Sequence, residues 1–179
     1  MWGSISPMPD APGIGVALMM ALMPSSGAEQ RTVADGPACH VPASLPVPHV
    51  ERPRHADEVR RMAVGGYTLA LSWTPHYCAG KGDGGGLQCD RRIGRFGFVL
   101  HGLWPEGKGG RGWPQYCAAA PILPRRLLAE NFCMTPSVQL MQHEWAKHGT
   151  CMASRPQDYF DKARSAYGRI RMPDMRALA

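Results

Sequence analysis

Residues 142–151 read Gln-His-Glu-Trp-Ala-Lys-His-Gly-Thr-Cys, and this stretch decides how the rest of the chain is interpreted. Within ten residues it holds two histidines, a carboxylate and a lysine, and it ends on a cysteine. On an α-helix successive residues advance by about 100°, so the four ionisable side chains would share a face of roughly 140°. These side chains are His143, Glu144, Lys147 and His148. Because packing does not require such a mixture on one face, it indicates a catalytic or binding site.

The histidine spacing argues against the helix of a zinc protease, which requires His-Glu-x-x-His with histidines four residues apart. His143 and His148 are five residues apart, about 140° around a helix, and would not converge on one metal ion. Gly149 is suited to end the helix just after His148. The simplest alternative is a solvated, charged helix face with an incidental histidine pair, and a second histidine segment upstream argues against it.

That second segment is residues 96–105, Phe-Gly-Phe-Val-Leu-His-Gly-Leu-Trp-Pro. Its apolar character predicts a strand that is buried on both faces and runs into a turn at Gly102. His101 would then sit at the strand end, where a rigid scaffold can present a side chain to a cleft. Taken alone, His101 and Trp104 are explained more simply as core residues.

Apolar patterns and punctuating residues predict further elements along the chain. The glycine-rich residues 79–86 lack the Gly-Lys-Ser/Thr of a phosphate-binding loop and are predicted to form a flexible surface loop. A second glycine-rich loop at 105–113 leads into aromatic and basic residues that would suit base stacking and phosphate contact, or ordinary loop packing. The predicted regular elements are a strand over 67–74 and helices over 124–132, 136–148 and 159–170.

Composition limits the classes of protein that this chain can represent. With 179 residues, one domain with a real hydrophobic core is expected. The formal charge of +6 suits a polyanionic partner such as nucleic acid. Six cysteines suggest up to three disulfides in an oxidising compartment, with a short-range Cys78–Cys89 bridge plausible. The absence of a Cys-x-x-Cys pair argues against a cysteine metal site.

The N-terminal part of the sequence predicts export. An apolar run over residues 14–23, followed by small and turn-prone residues, predicts a signal peptide over residues 1–28. The apolar run itself is too short to span a membrane. Residues 29–65 carry five prolines and predict a loosely ordered proline-rich arm, attached through Cys39. The folded domain is predicted from residues 66 to 179, and the protein is expected to be secreted or periplasmic.

Four segments carry a resemblance to a known family. Residues 98–105 and 143–151 resemble the two active-site segments of the ribonuclease T2 family. Residues 71–78, Leu-Ser-Trp-Thr-Pro-His-Tyr-Cys, resemble its first strand and following cysteine, and residues 113–117, Trp-Pro-Gln-Tyr-Cys, resemble an intervening cysteine segment. Each segment alone is moderately specific, but all of them in the family's order, over about half of the chain, are highly specific.

The resemblance implies a disulfide-stabilised α+β fold in which an antiparallel β-sheet is flanked by helices. It implies metal-independent, cofactor-free cleavage of single-stranded RNA. It also implies a Cys117–Cys151 bridge. If Cys78 is bonded to Cys89 as well, Cys39 is left with Cys133, although six cysteines allow fifteen pairings.

Carried over residue by residue, the resemblance implies a catalytic pair, His101 and His148. It further implies supporting and substrate-binding residues. Those that support the transition state are Glu144 and Lys147, the phosphate contact is His143, and the base contact is Trp104.

The chemistry of these residue types fits RNA cleavage independently of the family. The RNA 2′-OH is the nucleophile, so a base must take its proton and an acid must protonate the departing 5′-oxygen. Imidazoles hold both states near neutral pH; following the family, His148 is the expected base and His101 the acid. Lys147 and a protonated His143 would stabilise the phosphorane. Glu144 could hold a neighbouring histidine protonated or donate a proton itself in acid.

The first product is then a 2′,3′-cyclic phosphate, and DNA is not cleaved because it lacks the nucleophile.

Typical members of the family continue well beyond the second active-site segment, whereas 28 residues, 152–179, follow Cys151 here. A domain lacking the family's C-terminal part, acting as a monomer, is therefore expected.

Two other functions remain open at this point. One is an exported, catalytically weak remnant of the same fold that binds RNA or a partner. The other is a metal-dependent hydrolase that uses His101, His143 and His148, which resistance to EDTA would exclude.

Overall fold

The computed structural model describes residues 39–110, 112–173 and 175, so the predicted signal peptide lies outside the described residues. Two strands and four α-helices confirm the predicted α+β class. Within the described ranges no helix has the length and apolar character needed to cross a membrane. In chain order the elements are β1 (Val64–Trp73), α1 (Thr74–Lys81), β2 (Phe98–Gly107), α2 (Arg125–Asn131), α3 (Val138–Lys147) and α4 (Pro156–Gly168), with short 3-10 helices at Ala56–Glu58, Gly82–Gln88 and Gly149–Cys151.

Strands β1 and β2 form an antiparallel ribbon that positions the first histidine segment. Ala70 lies opposite Gly102, but the next residue, Leu71, lies opposite Leu100. The residue skipped between them on β2 is His101, so the strand carries a β-bulge at this histidine. Bulges leave one residue unpaired and turn its side chain out of the regular alternation.

The predicted turn at Gly102 is therefore wrong. Strand β2 continues for five residues beyond Gly102, to Gly107, and His101 lies near its middle. Strand β1 is long enough to pair with the second half of β2, where Tyr67 lies opposite Pro105. A bulge within a paired strand thus presents His101, where the sequence suggested a strand end.

The glycine-rich segment after β1 also differs from its prediction as a surface loop. Helix α1 runs to Lys81, and a 3-10 helix, Gly82–Gln88, follows directly. The Cys78–Cys89 disulfide closes the segment on itself. Gln88 donates from its side-chain amide to the Thr74 hydroxyl at 3.0 Å, and both residues are buried. Local cross-links therefore stabilise a compact structure despite the glycine content.

The hydrophobic core is built from β2 and the three later helices. Helix α3 begins after Ser137, whose hydroxyl accepts a hydrogen bond from the Leu140 amide, and α4 begins with Pro156 in its first turn. Tyr159 of α4 is buried and its hydroxyl accepts a hydrogen bond from the Leu103 amide of β2 at 3.3 Å. The largest buried apolar side chains of this core include Phe132, Met141, Trp145, Tyr159 and Phe160.

Gly149 permits the close packing of α4 against the end of α3. A Cβ atom at this position would meet the Trp145 ring and would lie 2.9 Å from Cγ of Tyr159. Helix α3 ends at Lys147 with His148 as its cap, so Gly149 follows the helix as expected. Its requirement for glycine comes from this close approach to two aromatic rings.

The described part of the arm, from residue 39, packs on the domain more closely than its proline content predicts. Cys39 is bonded to Cys133, and Leu45 is buried in the hydrophobic core. The His49 amide donates to the side-chain oxygen of Gln139 on α3 at 2.7 Å. The other two disulfides join Cys78 to Cys89 and Cys117 to Cys151. Two of these bridges join distant parts of the domain, the arm to the segment after α2 and residue 117 to the end of α3, whereas the Cys78–Cys89 bridge is local.

Candidate active site

Helix α3 turns its ionisable face toward β2. Glu144 and His148 are buried, with 3% and 5% of their surface exposed, while His143 and Lys147 are partly exposed. A solvated, charged helix face would leave all four in water. The burial of a carboxylate and an imidazole excludes that alternative, because burying such groups is costly unless they are paired or neutral.

The Glu144 carboxyl lies between two residues of β2. Its Oε2 accepts a hydrogen bond of 2.8 Å from the indole N–H of Trp104, and its Oε1 lies 3.5 Å from Nε2 of His101. These contacts join the two sequence segments that carry the histidines. Glu144 is therefore the residue through which α3 contacts the bulge of β2.

Gly102 makes this contact possible. A Cβ atom here would overlap the Glu144 carboxylate and would lie 2.8 Å from Nε1 of Trp104. Any larger residue would push Glu144 or Trp104 away. The glycine that suggested a turn in the sequence is instead required for the close approach of a carboxyl to the strand.

His101 is half-exposed and is held at both ring nitrogens. The side chain is 39% exposed, with Nε2 near Glu144 and Nδ1 3.1 Å from the Ser72 hydroxyl. Ser72 lies on β1 within the segment that carries the family resemblance, but no local pattern assigned it to the site. Its position next to the bulge identifies it as the residue that orients His101.

Trp104 brings the two histidines onto one surface. Its ring centroid lies 5.7 Å from that of His101 in an edge-on arrangement, and 5.5 Å from that of His148 in a stacked one. Both imidazoles therefore contact the same indole. Trp104 was expected to contact an RNA base, and its N–H is already engaged by Glu144.

His148 lies at the C-terminal end of α3 in a buried position. Its backbone N–H donates to the Glu144 carbonyl at 3.0 Å and completes the last turn of the helix. Its side-chain Nδ1 is buried and has no hydrogen-bond partner among the residues that the structure describes.

Burial controls the protonation of the Glu144 carboxyl. It raises the pKa of Glu144 to about 8, although the Trp104 hydrogen bond and the Lys147 charge act in the opposite direction. Glu144 is therefore protonated below neutrality. Two roles for Glu144 were considered from the sequence, a proton donor and an anion that keeps a neighbouring histidine protonated. The raised pKa favours the proton donor.

The pKa values of both histidines are lowered. Burial, and then the positive charges of Lys147 and His143, lower the pKa of His148 to about 3. Burial, followed by the charges of His143 and Lys147, also lowers the pKa of His101 from its ordinary value. A neutral imidazole at His148 can accept a proton over most of the acidic range, which is what a general base requires.

His143 faces a different partner, one that sequence reasoning missed. Its Nδ1 lies 3.1 Å from Oε1 of Glu51, a residue of the arm. The two residues are 92 positions apart, so no local pattern links them. Lys147, one turn further along α3, has its backbone carbonyl bonded to the Tyr116 amide at 2.8 Å.

The three histidines of the metal-dependent alternative do not form a metal-holding group. Within the described ranges, no three His, Cys, Asp or Glu side chains are grouped so that they could hold an ion. The geometry thus gives that alternative no support. It supports a site in which imidazole and carboxyl groups exchange protons.

Comparisons with known proteins identify the family of the chain and several relatives. A family model described as the Ribonuclease T2 family matches residues 64–177. A protein of Haemophilus influenzae called "Probable ribonuclease" is 32% identical over 139 residues, which cover 71% of this chain and 51% of that protein. An Aeromonas hydrophila "Ribonuclease" is 41% identical over 98 residues, covering 54% of this chain and 42% of the relative.

A solved structure, RNase NT in complex with 5′-AMP, is 34% identical and covers 38% of this chain and 39% of that chain, with a TM-score of 0.34. This structural likeness is too low to carry a conclusion. The chain spans about half the length, or less, of the curated relatives named above. Since the family model matches more than half of the chain, this protein belongs to the ribonuclease T2 family.

Proposed function

We propose that this protein is a metal-independent endoribonuclease that cleaves single-stranded RNA by transphosphorylation through a 2′,3′-cyclic phosphate. The observation that carries the proposal is the pair of imidazoles, His101 and His148, packed against the single indole of Trp104. Membership of the ribonuclease T2 family supports RNA as the substrate. The basic charge of the chain, +6, suits a polyanion.

His148 acts as the general base in the proposed mechanism. It removes the proton from the RNA 2′-OH, and the oxygen then attacks the adjacent phosphorus. The lowered pKa of His148, about 3, keeps its ring neutral and able to accept the proton. Its place at the end of a disulfide-anchored helix holds that ring in position, because Cys151 is bonded to Cys117.

His101 acts as the general acid. It donates a proton to the 5′-oxygen as the bond from that oxygen to phosphorus breaks, which leaves a 2′,3′-cyclic phosphate on one fragment and a 5′-OH on the other. Its partial exposure gives the leaving group access, and the Ser72 contact at Nδ1 orients the ring. Before the next turnover His101 regains a proton from solvent and His148 releases to solvent the proton it took from the 2′-OH.

Lys147 and Glu144 stabilise the phosphorane, which carries more negative charge than the starting diester. Lys147 supplies a positive charge from the partly exposed face of α3. Glu144 is neutral in acid because burial raises its pKa to about 8, so its O–H can donate a hydrogen bond to a phosphoryl oxygen. His143 contacts the phosphate and Trp104 contributes to base contact.

The setting proposed for this reaction is an oxidising compartment outside the cytoplasm. Three disulfides among the described residues support a secreted or periplasmic protein. The protein acts as a monomer on single-stranded RNA. DNA is not cut, because it has no 2′-OH.

The test is cleavage of a short single-stranded RNA by the oxidised protein in EDTA, with the products analysed for a 2′,3′-cyclic phosphate. His148→Ala and His101→Ala should each lower kcat/KM by about a thousandfold, within the range of general acid–base catalysis. His76→Ala is the matched control, because His76 is an exposed histidine on α1. Wild-type rates in either site variant would contradict the mechanism.

Two other results would change the assignment. Loss of cleavage in EDTA, restored by a divalent metal, would favour the metal-dependent hydrolase. No cleavage by a folded wild-type protein that still binds RNA would favour the catalytically weak binding remnant.

A further inference from the structure

The arm contributes a carboxylate to the edge of the active site. Oε1 of Glu51 lies 3.1 Å from Nδ1 of His143 and 3.5 Å from the Tyr116 hydroxyl. The Glu51 side chain is 26% exposed and that of His143 is 32% exposed, so the contact is partly shielded from water. A shielded pair is screened less by salt than a surface pair.

The position of Glu51 is determined by contacts on its N-terminal side. Cys39 is bonded to Cys133, Leu45 is buried in the core, and the His49 amide donates to Gln139 at 2.7 Å. The last of these contacts lies two residues before Glu51 and ends on the same helix as His143. The carboxylate is therefore held against α3 by ordered backbone.

Tyr116, the second partner of Glu51, is itself fixed to the end of α3. Its backbone has φ 52, a left-handed conformation that is uncommon for a tyrosine. Its amide donates to the Lys147 carbonyl, and the next residue, Cys117, is bonded to Cys151. A strained conformation held by a hydrogen bond and a disulfide places the Tyr116 hydroxyl at Glu51.

We propose that Glu51 is a positioning residue for His143, supplied to the active site by the arm; this inference rests on the proposed function. An ionised carboxylate only accepts hydrogen bonds, so Nδ1 of His143 carries the hydrogen of this contact. Nε2 is then left for the substrate phosphate, and the ring is held in one orientation. Glu51 acts on the substrate only through His143.

Simple charge arithmetic makes the opposite prediction, which gives a sharp test. A negative charge close to a phosphate-binding site repels the substrate, so removing Glu51 should tighten RNA binding if charge alone matters. If Glu51 orients His143, removing it should weaken binding. The sign of the change therefore separates the two effects.

The experiment compares Glu51→Ala and Glu51→Gln with Gln139→Ala as the control. Gln139→Ala removes the two hydrogen bonds between Gln139 on α3 and the backbone of His49 in the arm, without touching His143. The measurements are KM and kcat on single-stranded RNA, and the Kd of a fluorescent single-stranded oligodeoxynucleotide, which has no 2′-OH and is not cut.

Glu51→Ala should raise both KM and Kd about tenfold, as expected for losing a hydrogen bond to a charged group, with kcat changed by less than about threefold. Glu51→Gln should remain within about threefold of wild type, because its amide oxygen still accepts from Nδ1. Gln139→Ala loosens the arm two residues before Glu51 but keeps the carboxylate, so it should raise KM and Kd by less than about threefold. In a His143→Ala background, Glu51→Ala should have no further effect on Kd.

Unchanged or tighter binding by folded Glu51→Ala would overturn the inference, as would an equal loss in Gln139→Ala, which would show that only arm docking matters. If Glu51→Ala does not fold, Glu51→Met replaces it, since methionine keeps the side-chain length but accepts only weakly. The wild type and its variants could show the predicted Kd changes for the oligodeoxynucleotide while the wild type does not cleave RNA. The proposed function would then fail and the positioning role would stand.

Discussion

His101 and His148 lie on two sides of one tryptophan, yet their surroundings differ. His148 is buried at the end of a helix, and its Nδ1 has no partner among the described residues. His101 projects from a β-bulge, is 39% exposed and contacts Ser72. Burial lowers both pKa values, to about 3 for His148. In the proposed mechanism the buried imidazole of His148 is the base and the half-exposed imidazole of His101 is the acid.

Changing Gly102 to Ala should disturb the surroundings of both histidines at once and should give the largest loss of activity. The new methyl group would overlap the Glu144 carboxylate and displace Trp104, which contacts both histidines. We expect kcat/KM to fall about a hundredfold and the free energy of unfolding to fall by about 2 kcal/mol, as in overpacked cores. Kinetics and thermal unfolding would measure these changes.

Gly66→Ala on β1 provides the control, because a Cβ atom there meets nothing within 4 Å. It should keep wild-type activity. A Gly102→Ala protein with normal kcat/KM would show that the contact between Glu144 and β2 does not matter for catalysis.

The pH dependence of kcat/KM separates the two histidines. The rate should rise with pH as His148 loses its proton near pH 3, and fall as His101 loses the proton it must donate, below pH 6.5. The optimum should lie between these values, with limbs that approach tenfold per pH unit. An optimum at or above pH 7 would contradict this assignment.

Within the same prediction, Glu144→Gln should leave the positions of both limbs unchanged, because burial already keeps Glu144 neutral in this range. An ionised Glu144 would instead raise the pKa of His101. The alkaline limb would then move to lower pH in the variant. That result would contradict the prediction that the Glu144 carboxyl is neutral in this range.

Ser72→Ala should give the smallest change in kcat/KM and should affect only His101 of the two histidines. It removes the 3.1 Å contact to Nδ1 and leaves His148 unchanged. One neutral hydrogen bond is worth about 1 kcal/mol, so kcat/KM should fall roughly fivefold, with the acidic limb of the pH profile in place. A shift of the acidic limb in this variant would mean that Ser72 also acts on His148.

The fold class and the candidate site residues could be inferred from sequence because their signals are local. The ten residues from Gln142 to Cys151 show helical spacing, and residues 98–105 resemble an active-site segment of the family. Such patterns predict which residues share a face or a strand. The family resemblance, confirmed by the match over residues 64–177, supplied the order of the segments.

The sequence by itself therefore determined the family, the α+β class and the residue types that the chemistry needs. The tertiary structure alone decided the bulge at His101, the close approach at Gly102, the protonation of Glu144 and the contact of Glu51 with His143. Each of these depends on residues distant in the chain, 92 positions apart in the last case. Pairing register, burial and long-range contacts arise only when the chain packs, so no local pattern records them.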